Sequence, residues 1–373
     1  MSSTFLPFTR PSIDDETIAD VVAVLKGGWI TTGPRVAALE KALSDYLGGR
    51  FVRSMTSATG GMEMALKAMG VGPGDEVVVP AMTFAASANV VERLGARAIF
   101  VDVELRSRNA TPAALAAAIT PRTKVLMPVH FSGLAVDMDG VLELATQHRL
   151  RVLEDAAHAI GTRYKGRLIG SFGDVASFSF HANKNMTCIE GGALSYTDTA
   201  LTTPLERERF HGIAKDAAGN IDIETAGGKF NLTDVAAAVG LGQLRHLEGF
   251  NRRRGELAAR YEARLSPYVE ADRLPQTGDG HSWHMYPLLL PLAELGTTRD
   301  AFIAAMREHN IGLGIHYPCL PAMSHYRSLG WNPADFPNAA RIGAETVTLP
   351  LFPAMADHDV DRVCDALLEL LPR

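Results

Sequence analysis

Three short stretches of the chain hold the side chains best suited to chemistry. The first, FSFHANKNMTCIEGG at 178–192, begins as an alternating strand, breaks into small polar residues around Lys184 and ends in a glycine pair. Ser179 and His181 sit just before that lysine, so a hydroxyl, an imidazole and an amine share one strand-to-loop segment. The second, RVLEDAAHAIG at 151–161, delivers Glu154, Asp155 and His158 where an apolar strand stops. A carboxylate buried there is costly unless a cation meets it. The third, SATGG at 57–61, precedes the helical pattern MEMALKAMG, so free backbone N–H groups and the helix dipole face whatever lies before it. Taken singly, each stretch also has a plain reading: a solvated loop lysine, a helix cap or loop ion pair for Asp155, and an ordinary cap at Ser57.

The elements around them decide between these readings. From residue 56 short apolar runs alternate with helical patterns: DEVVVPA, then TFAASANVVERLG, RAIFVDV, TPAALAAAI, TKVLMPVH, DGVLELATQHR and RVLEDAA. Thr111 and Pro112 mark one helix start as N-cap and first helical position. Strand, helix, strand at this spacing specifies a mostly parallel sheet with helices on both faces, its strands buried on both sides. In such sheets ligands bind at the carboxyl ends of the strands, where Asp155 and the Lys184 segment fall. Beyond GGALSYTD and a polar stretch at 213–229, residues 232–265 read as one long helix or two joined ones. HMYPLLL, TRDAFIAAMREHN, GLGIHY and DHDVDRVCDALLELL then read as strand, helix, strand and helix. The expected division is a large α/β domain over 1–250 and a smaller α+β domain over 251–373.

A helix N-terminus, a buried carboxylate and an amine, in this order on one α/β chain, suit pyridoxal phosphate (PLP). A lysine bonds its aldehyde carbon, an aspartate keeps the pyridine nitrogen protonated, and a helix N-terminus takes the phosphate. No GK[ST] loop or GxGxxG fingerprint competes for the site. The 373 residues carry a net charge of −6 with no basic block, which argues against nucleic acid and anionic membrane as partners. No apolar run approaches the ~18 residues of a membrane span. The start of the chain lacks the basic and apolar regions of a signal peptide. Three cysteines without CxxC spacing fit neither a disulfide framework nor a zinc site. A cytoplasmic protein without a metal site is expected.

The chain resembles the DegT/DnrJ/EryC1/StrS family of PLP-dependent sugar aminotransferases. The resemblance runs through GWITTGP at 28–34, SATGGMEMAL at 57–66, GPGDEVVVPAMTFAASAN at 72–89 and LEDAAHAIGTRYKG at 153–166. It continues through SFGDVASFSFHANKNMTCIEGG at 171–192, FNLTDVAAAVGLGQL at 230–244, IHYPCLP at 315–321 and LPLFPAMADHDVDRV at 349–363. It implies PLP-dependent transferase fold type I, the aspartate aminotransferase-like architecture. It also implies that Lys184 forms the Schiff base, Asp155 pairs with the pyridine nitrogen, and His158 lies near the ring's phenolic oxygen. Phe84 would stack on the ring, and the Thr59 and Gly60 amides with the Ser179 hydroxyl would hold the phosphate. Asn231 would reach that phosphate from the neighbouring subunit of a homodimer. Thr31, His181, His316 and Tyr317 would face the substrate, although both histidines also read as packing residues.

The implied reaction moves an amino group from L-glutamate to a nucleotide-linked keto-sugar, with the cofactor alternating between PLP and pyridoxamine phosphate. Retention of Lys184 disfavours the dehydratases of the family, which carry histidine there. GWITTGP, FSFHANKN, TCIEGG and NLTD are most similar to the branch that forms UDP-4-amino-4-deoxy-L-arabinose, which favours a 4-keto substrate. A 3-keto sugar, a cyclitol ketone, or a PLP-binding regulatory protein without turnover are the alternatives.

Overall fold

The computed structural model describes residues 4–371. Its frame is a seven-stranded sheet of β1 (Phe51–Met55), β2 (Glu76–Pro80), β3 (Arg97–Val101), β4 (Thr123–Leu126), β5 (Arg151–Asp155), β8 (Val175–Ser179) and β9 (Gly192–Tyr196). The strand order is β1-β9-β8-β5-β4-β2-β3. Pairing is parallel from β3 through to β8, and β9 runs antiparallel to both of its neighbours. Residues of β2 and β8 are buried throughout, which accounts for apolar runs such as EVVVP. A two-stranded ribbon, β6 (Arg163–Tyr164) with β7 (Arg167–Leu168), interrupts the β5-to-β8 connection.

Helices α1 (Asp15–Gly27) and α2 (Pro34–Tyr46) precede the sheet. α3 (Ala58–Ala68), α4 (Ala86–Arg93), α5 (Pro112–Ala117), α6 (Met138–His148) and α7 (Thr202–Arg209) connect or follow its strands. The Thr111 cap is present, its hydroxyl accepting from the Ala114 amide, with Pro112 at the first position. The polar stretch contains a small hairpin, β10 (Ile213–Lys215) with β11 (Ile221–Ile223).

The long helix is single: α8 spans Asp234–Leu265. The division expected between residues 250 and 251 therefore falls inside one continuous helix. After it come β12 (Tyr286–Leu289), α9 (Leu292–Leu295), α10 (Arg299–Glu308), α11 (Ser324–Ser328), α12 (Pro337–Glu345), β13 (Thr346–Leu349) and α13 (Asp357–Leu370). Leu257, Tyr261, Tyr286, Phe302, Val347 and Val363 belong to an apolar cluster of their own in this part of the chain. GLGIHY does not form the expected strand. Gly314 alone bridges to Thr348, and the residues that follow, 315–317, are not part of a strand. Among the described residues no helix is long and apolar enough to cross a membrane.

Close approach between α3 and the sheet relies on glycine. A Cβ on Gly192 would lie 2.6 Å from the Ala58 nitrogen and 2.8 Å from the Phe178 carbonyl oxygen, both backbone atoms that cannot yield cheaply. Gly27, at the end of α1, has nothing within 4 Å of the same added atom. Gly192→Ala is expected to cost about 1–3 kcal/mol of stability, as overpacking does. Gly27→Ala should be neutral or stabilising by about 0.4–1 kcal/mol. Denaturant midpoints of the two variants measure the contrast, and equal midpoints would contradict it.

Candidate active site

The strand ends converge as the parallel sheet requires. Asp155 is the last residue of β5 and pairs in register with Ser177 of β8. β8 ends two residues later at Ser179, and the chain turns through His181 to Lys184, whose amide donates to the His181 carbonyl at 2.9 Å. Pleat alternation separates the adjacent carboxyls of β5. Asp155 lines a cavity of about 280 Å³ together with Lys184, Ser179, Thr59, Phe84 and His158. Glu154 points the other way and accepts from His130 Nε2 at 3.1 Å. The His130 proton lies on Nε2 because its Nδ1 accepts from the Val136 amide.

Asp155 is 4% exposed, and among the described residues no cation pairs with it. Its oxygens accept from the Ser87 hydroxyl at 2.6 Å and from the Ala157 amide at 3.1 Å. Thr83 Oγ1 lies 2.9 Å from Ser87 Oγ and completes this small network. A buried carboxyl with no cation of its own is suited to a ligand that brings one, such as a protonated ring nitrogen.

At the other end of the cavity Ser57 caps α3, its hydroxyl accepting from the Gly60 amide at 3.0 Å. The Gly60 amide, expected to meet a phosphate, is thus engaged by its own cap in this structure. The amides of Ala58 and Thr59 precede it in the first turn, where no carbonyl one turn earlier can accept from them. With the Ser57 and Ser179 hydroxyls on the cavity wall, they suit a phosphate.

Lys184 is half-buried, and burial lowers its ammonium from the usual 10.5 to about 8, with Asp155 opposing. The neighbouring imidazoles stay uncharged: burial, then Lys184, draws His158 well below its normal range and brings His316 to about 4. His158 Nε2 lies 3.1 Å from the Tyr317 hydroxyl, while Phe84 and Tyr317 approach with ring centroids 5.6 Å apart. His316 is held by Thr348 at 2.9 Å and stacks on Phe8. His181 stands at the rim, 2.8 Å from Asn183 and 3.6 Å from Glu190.

Thr31 and Asn231 are brought together, but neither lines this chain's cavity. Asn231 Nδ2 donates to Thr32 Oγ1 at 2.6 Å, Thr32 in turn to the Leu232 carbonyl, and the Asp234 amide to the Thr31 carbonyl. Asp234 also accepts from the Gly33, Arg35 and Val36 amides at the start of α2. Trp29, 62% exposed, and Ile30 stand beside this weld. Residues the sequence reading missed include Ser87, Asn185 and His284. Ser87 looks like any helix serine and Asn185 like a loop residue. The second histidine of HSWH, so near an apolar strand, was the one visible signal.

The DegT/DnrJ/EryC1/StrS aminotransferase family matches residues 11–368. The chain belongs to this family. It is 39% identical to the spore coat polysaccharide biosynthesis protein SpsC of Bacillus subtilis (strain 168), over 98% of this chain and 97% of the relative. S. venezuelae DesV, solved with a ketimine intermediate, superposes with a TM-score of 0.90 at 32% identity, covering 100% of both chains. Spr1654 of Streptococcus pneumoniae, described as a sugar aminotransferase, superposes in its PLP form with a TM-score of 0.90 at 31% identity, over 99% of this chain and 100% of that one. It has also been solved in a pyridoxamine phosphate (PMP) form. The chain is a PLP-dependent sugar aminotransferase of fold type I, and the cavity fits that cofactor in its amine, its unpaired carboxyl and its helix N-terminus.

An amine with its ammonium near 8 reacts as the free base at a lower pH than an ordinary lysine. Capture of added PLP by the cofactor-free protein should therefore speed up with rising pH and level off above about 8, well short of 10.5. Stopped-flow absorbance across pH measures it, and a rise that continues to pH 10 would contradict the shift.

Proposed function

We propose that the enzyme transfers the amino group of L-glutamate to a nucleotide-linked 4-keto sugar, and that Lys184, Asp155 and His158 carry out the chemistry. The observation that carries this reading is the shared cavity: an amine of lowered basicity and a buried carboxyl without a cation face the same space. PLP, when bound, supplies an electron sink for the pair released from the donor's α-carbon. Asp155, held by Ser87 and the Ala157 amide, keeps the ring nitrogen protonated so that the sink stays open. Lys184 Nζ, displaced by the donor's amine, takes the α-proton and returns it at the cofactor carbon. Water then enters, 2-oxoglutarate leaves, and the nitrogen stays behind. With the keto-sugar the same proton moves run in reverse, and one water is released.

In this reading the Ala58 and Thr59 amides with the Ser57 and Ser179 hydroxyls hold the phosphate, and Phe84 covers the ring. His158 lies near the ring's phenolic oxygen and passes its Nε2 hydrogen bond to Tyr317. His181, His316 and Tyr317 meet the sugar. Thr31 and Asn231 act on the cavity of a second copy, so the working unit is a homodimer. Their joint position beside exposed Trp29 supports this, since nothing among the described residues covers that surface. A large cofactor-binding domain over 1–250 and a smaller one over 251–373 then share α8, and the enzyme works in the cytoplasm.

The choice of a 4-keto sugar rests on the likeness of the cofactor-facing segments to the branch that forms UDP-4-amino-4-deoxy-L-arabinose. That likeness does not extend to the particular sugar. SpsC is named for spore coat polysaccharide biosynthesis, and a PseC aminotransferase of Helicobacter pylori, 25% identical, for pseudoaminic acid biosynthesis. Both names fit an amino sugar destined for a surface glycan.

Purified protein with PLP should show a visible band that L-glutamate removes and a nucleotide-linked 4-keto sugar restores, while Lys184→Ala shows no such band. A band that glutamate leaves unchanged would rule out glutamate as the donor. A band restored only by a 3-keto sugar or a cyclitol ketone would overturn the 4-keto assignment.

A further inference from the structure

Asn185 follows Lys184 in the chain, and its side chain is buried at 4% exposure. The directions of its hydrogen bonds are forced. Asn251 Nδ2 donates to the Ile160 carbonyl at 3.1 Å, so Asn251 Oδ1 is left to accept from Asn185 Nδ2 at 2.7 Å. Asn185 Nδ2 also donates to the Ser282 carbonyl at 2.9 Å. Its Oδ1 must then accept from His284 Nδ1 at 3.1 Å, which puts the His284 proton on Nδ1 and leaves Nε2 bare.

His284 is itself buried and lies against His158 with ring centroids 4.5 Å apart. His158 has the opposite tautomer. The Ser132 amide donates to its Nδ1 at 3.3 Å, so Nε2 holds the proton and donates to Tyr317. The backbone beneath is pinned too, because the Ser282 and His284 amides donate to the Gly133 and Ser132 carbonyls. Residues from α8, from the β4–α6 connection and from the approach to β12 thus meet at the residue after the lysine.

We propose that Asn185 and His284 are positioning residues for Lys184. The one-way chain from the Ile160 carbonyl through Asn251 and Asn185 to His284 fixes the backbone beside the amine and locks His284 in a single neutral form behind it. Burial first, then Lys184 and His158, draws the His284 imidazole well below its usual range, in accord with that form. The titratable groups that share the cavity with Lys184 are Asp155, His158, His181, Glu190, His316 and Tyr317, with His284 packed behind His158. Without the Asn185 amide, the His284 N–H, the Asn251 oxygen and the Ser282 carbonyl lose their partners in a buried place. Such a network does not remain half-made. The lysine loop loses its register, and misplacement by about 1 Å is enough to slow a reaction on the order of 100-fold.

This proposal rests on Lys184 being the residue that bonds PLP, and the experiment keeps the two apart. Holoenzyme of wild type, Asn185→Ala, His284→Phe, His284→Asn and Lys184→Ala is prepared with PLP. The pH midpoint of the visible band and the rate of its loss with L-glutamate are recorded. Asn185→Ala and His284→Phe are expected to retain PLP, to shift the midpoint by about one pH unit, a tenfold change in proton affinity, and to lose about 100-fold in rate. His284→Asn, whose amide keeps a donor near the Nδ1 position, should restore the midpoint and most of the rate. Identical behaviour of His284→Phe and His284→Asn overturns the proposal, and so does a wild-type midpoint in Asn185→Ala. Should Asn185→Ala fail to fold, the His284 pair decides alone. A visible band that persists in Lys184→Ala refutes the reading of Lys184, and the clamp with it. Loss of that band beside unperturbed clamp variants refutes the clamp only.

Discussion

Asp155 ends a central strand as a buried carboxyl, contacted by one hydroxyl and one amide and by no cation of the described chain. Much of the architecture follows from keeping it so. β5 carries it to the carboxyl edge of the sheet, and the bridge from Val129 and the bond from its amide to the Pro128 carbonyl hold that edge in line. Pleat alternation sends Glu154 to the opposite face, where His130 Nε2 satisfies one of its oxygens. Had both carboxyls faced the cavity, their mutual repulsion would have raised the proton affinity of one. Register with β8 then determines how far along the edge Ser179 and Lys184 emerge.

The cavity's charge pattern follows from the same economy. His158, His284 and His316 surround an amine, and each is kept neutral by burial before any neighbour acts. Neutral imidazoles place hydrogen-bonding groups near the amine without adding positive charge. Desolvation likewise lets the Lys184 ammonium lose its proton at a lower pH than an ordinary lysine. In His158 and His284 the tautomers are set by hydrogen bonds rather than by titration, so their donor and acceptor roles persist across a broad pH range.

Rigidity comes from long-range contacts that cross the chain. α8 begins by gathering residues 31–36 through Asp234. Along its length it offers Asn251 to the lysine loop, and from Arg254 it reaches the His284 and Leu351 carbonyls. One helix therefore serves the segment at residues 31–36, the lysine loop and the C-terminal cluster. Asp102 adds a further tie by accepting from the Asn338 and Ala339 amides at the start of α12. These ties hold the Tyr317 segment over a cavity whose floor belongs to the sheet.

The sequence by itself determined the order of strands and helices, the parallel sheet, the ends of β5 and β8, and therefore the neighbourhood of Asp155 and Lys184. These are local properties: apolar runs, caps and the period of side-chain alternation are written in adjacent residues. The tertiary structure alone decided that Gly60 spends its amide on its own cap, and that GLGIHY forms a bridge instead of a strand. It also decided that Thr31 and Asn231 stand together away from the cavity of their own chain. Ser87, Asn185 and His284 stayed hidden for the same reason. Each acts through a partner 66 to 99 positions distant, and no periodicity records which buried polar groups will meet once the chain has closed on itself.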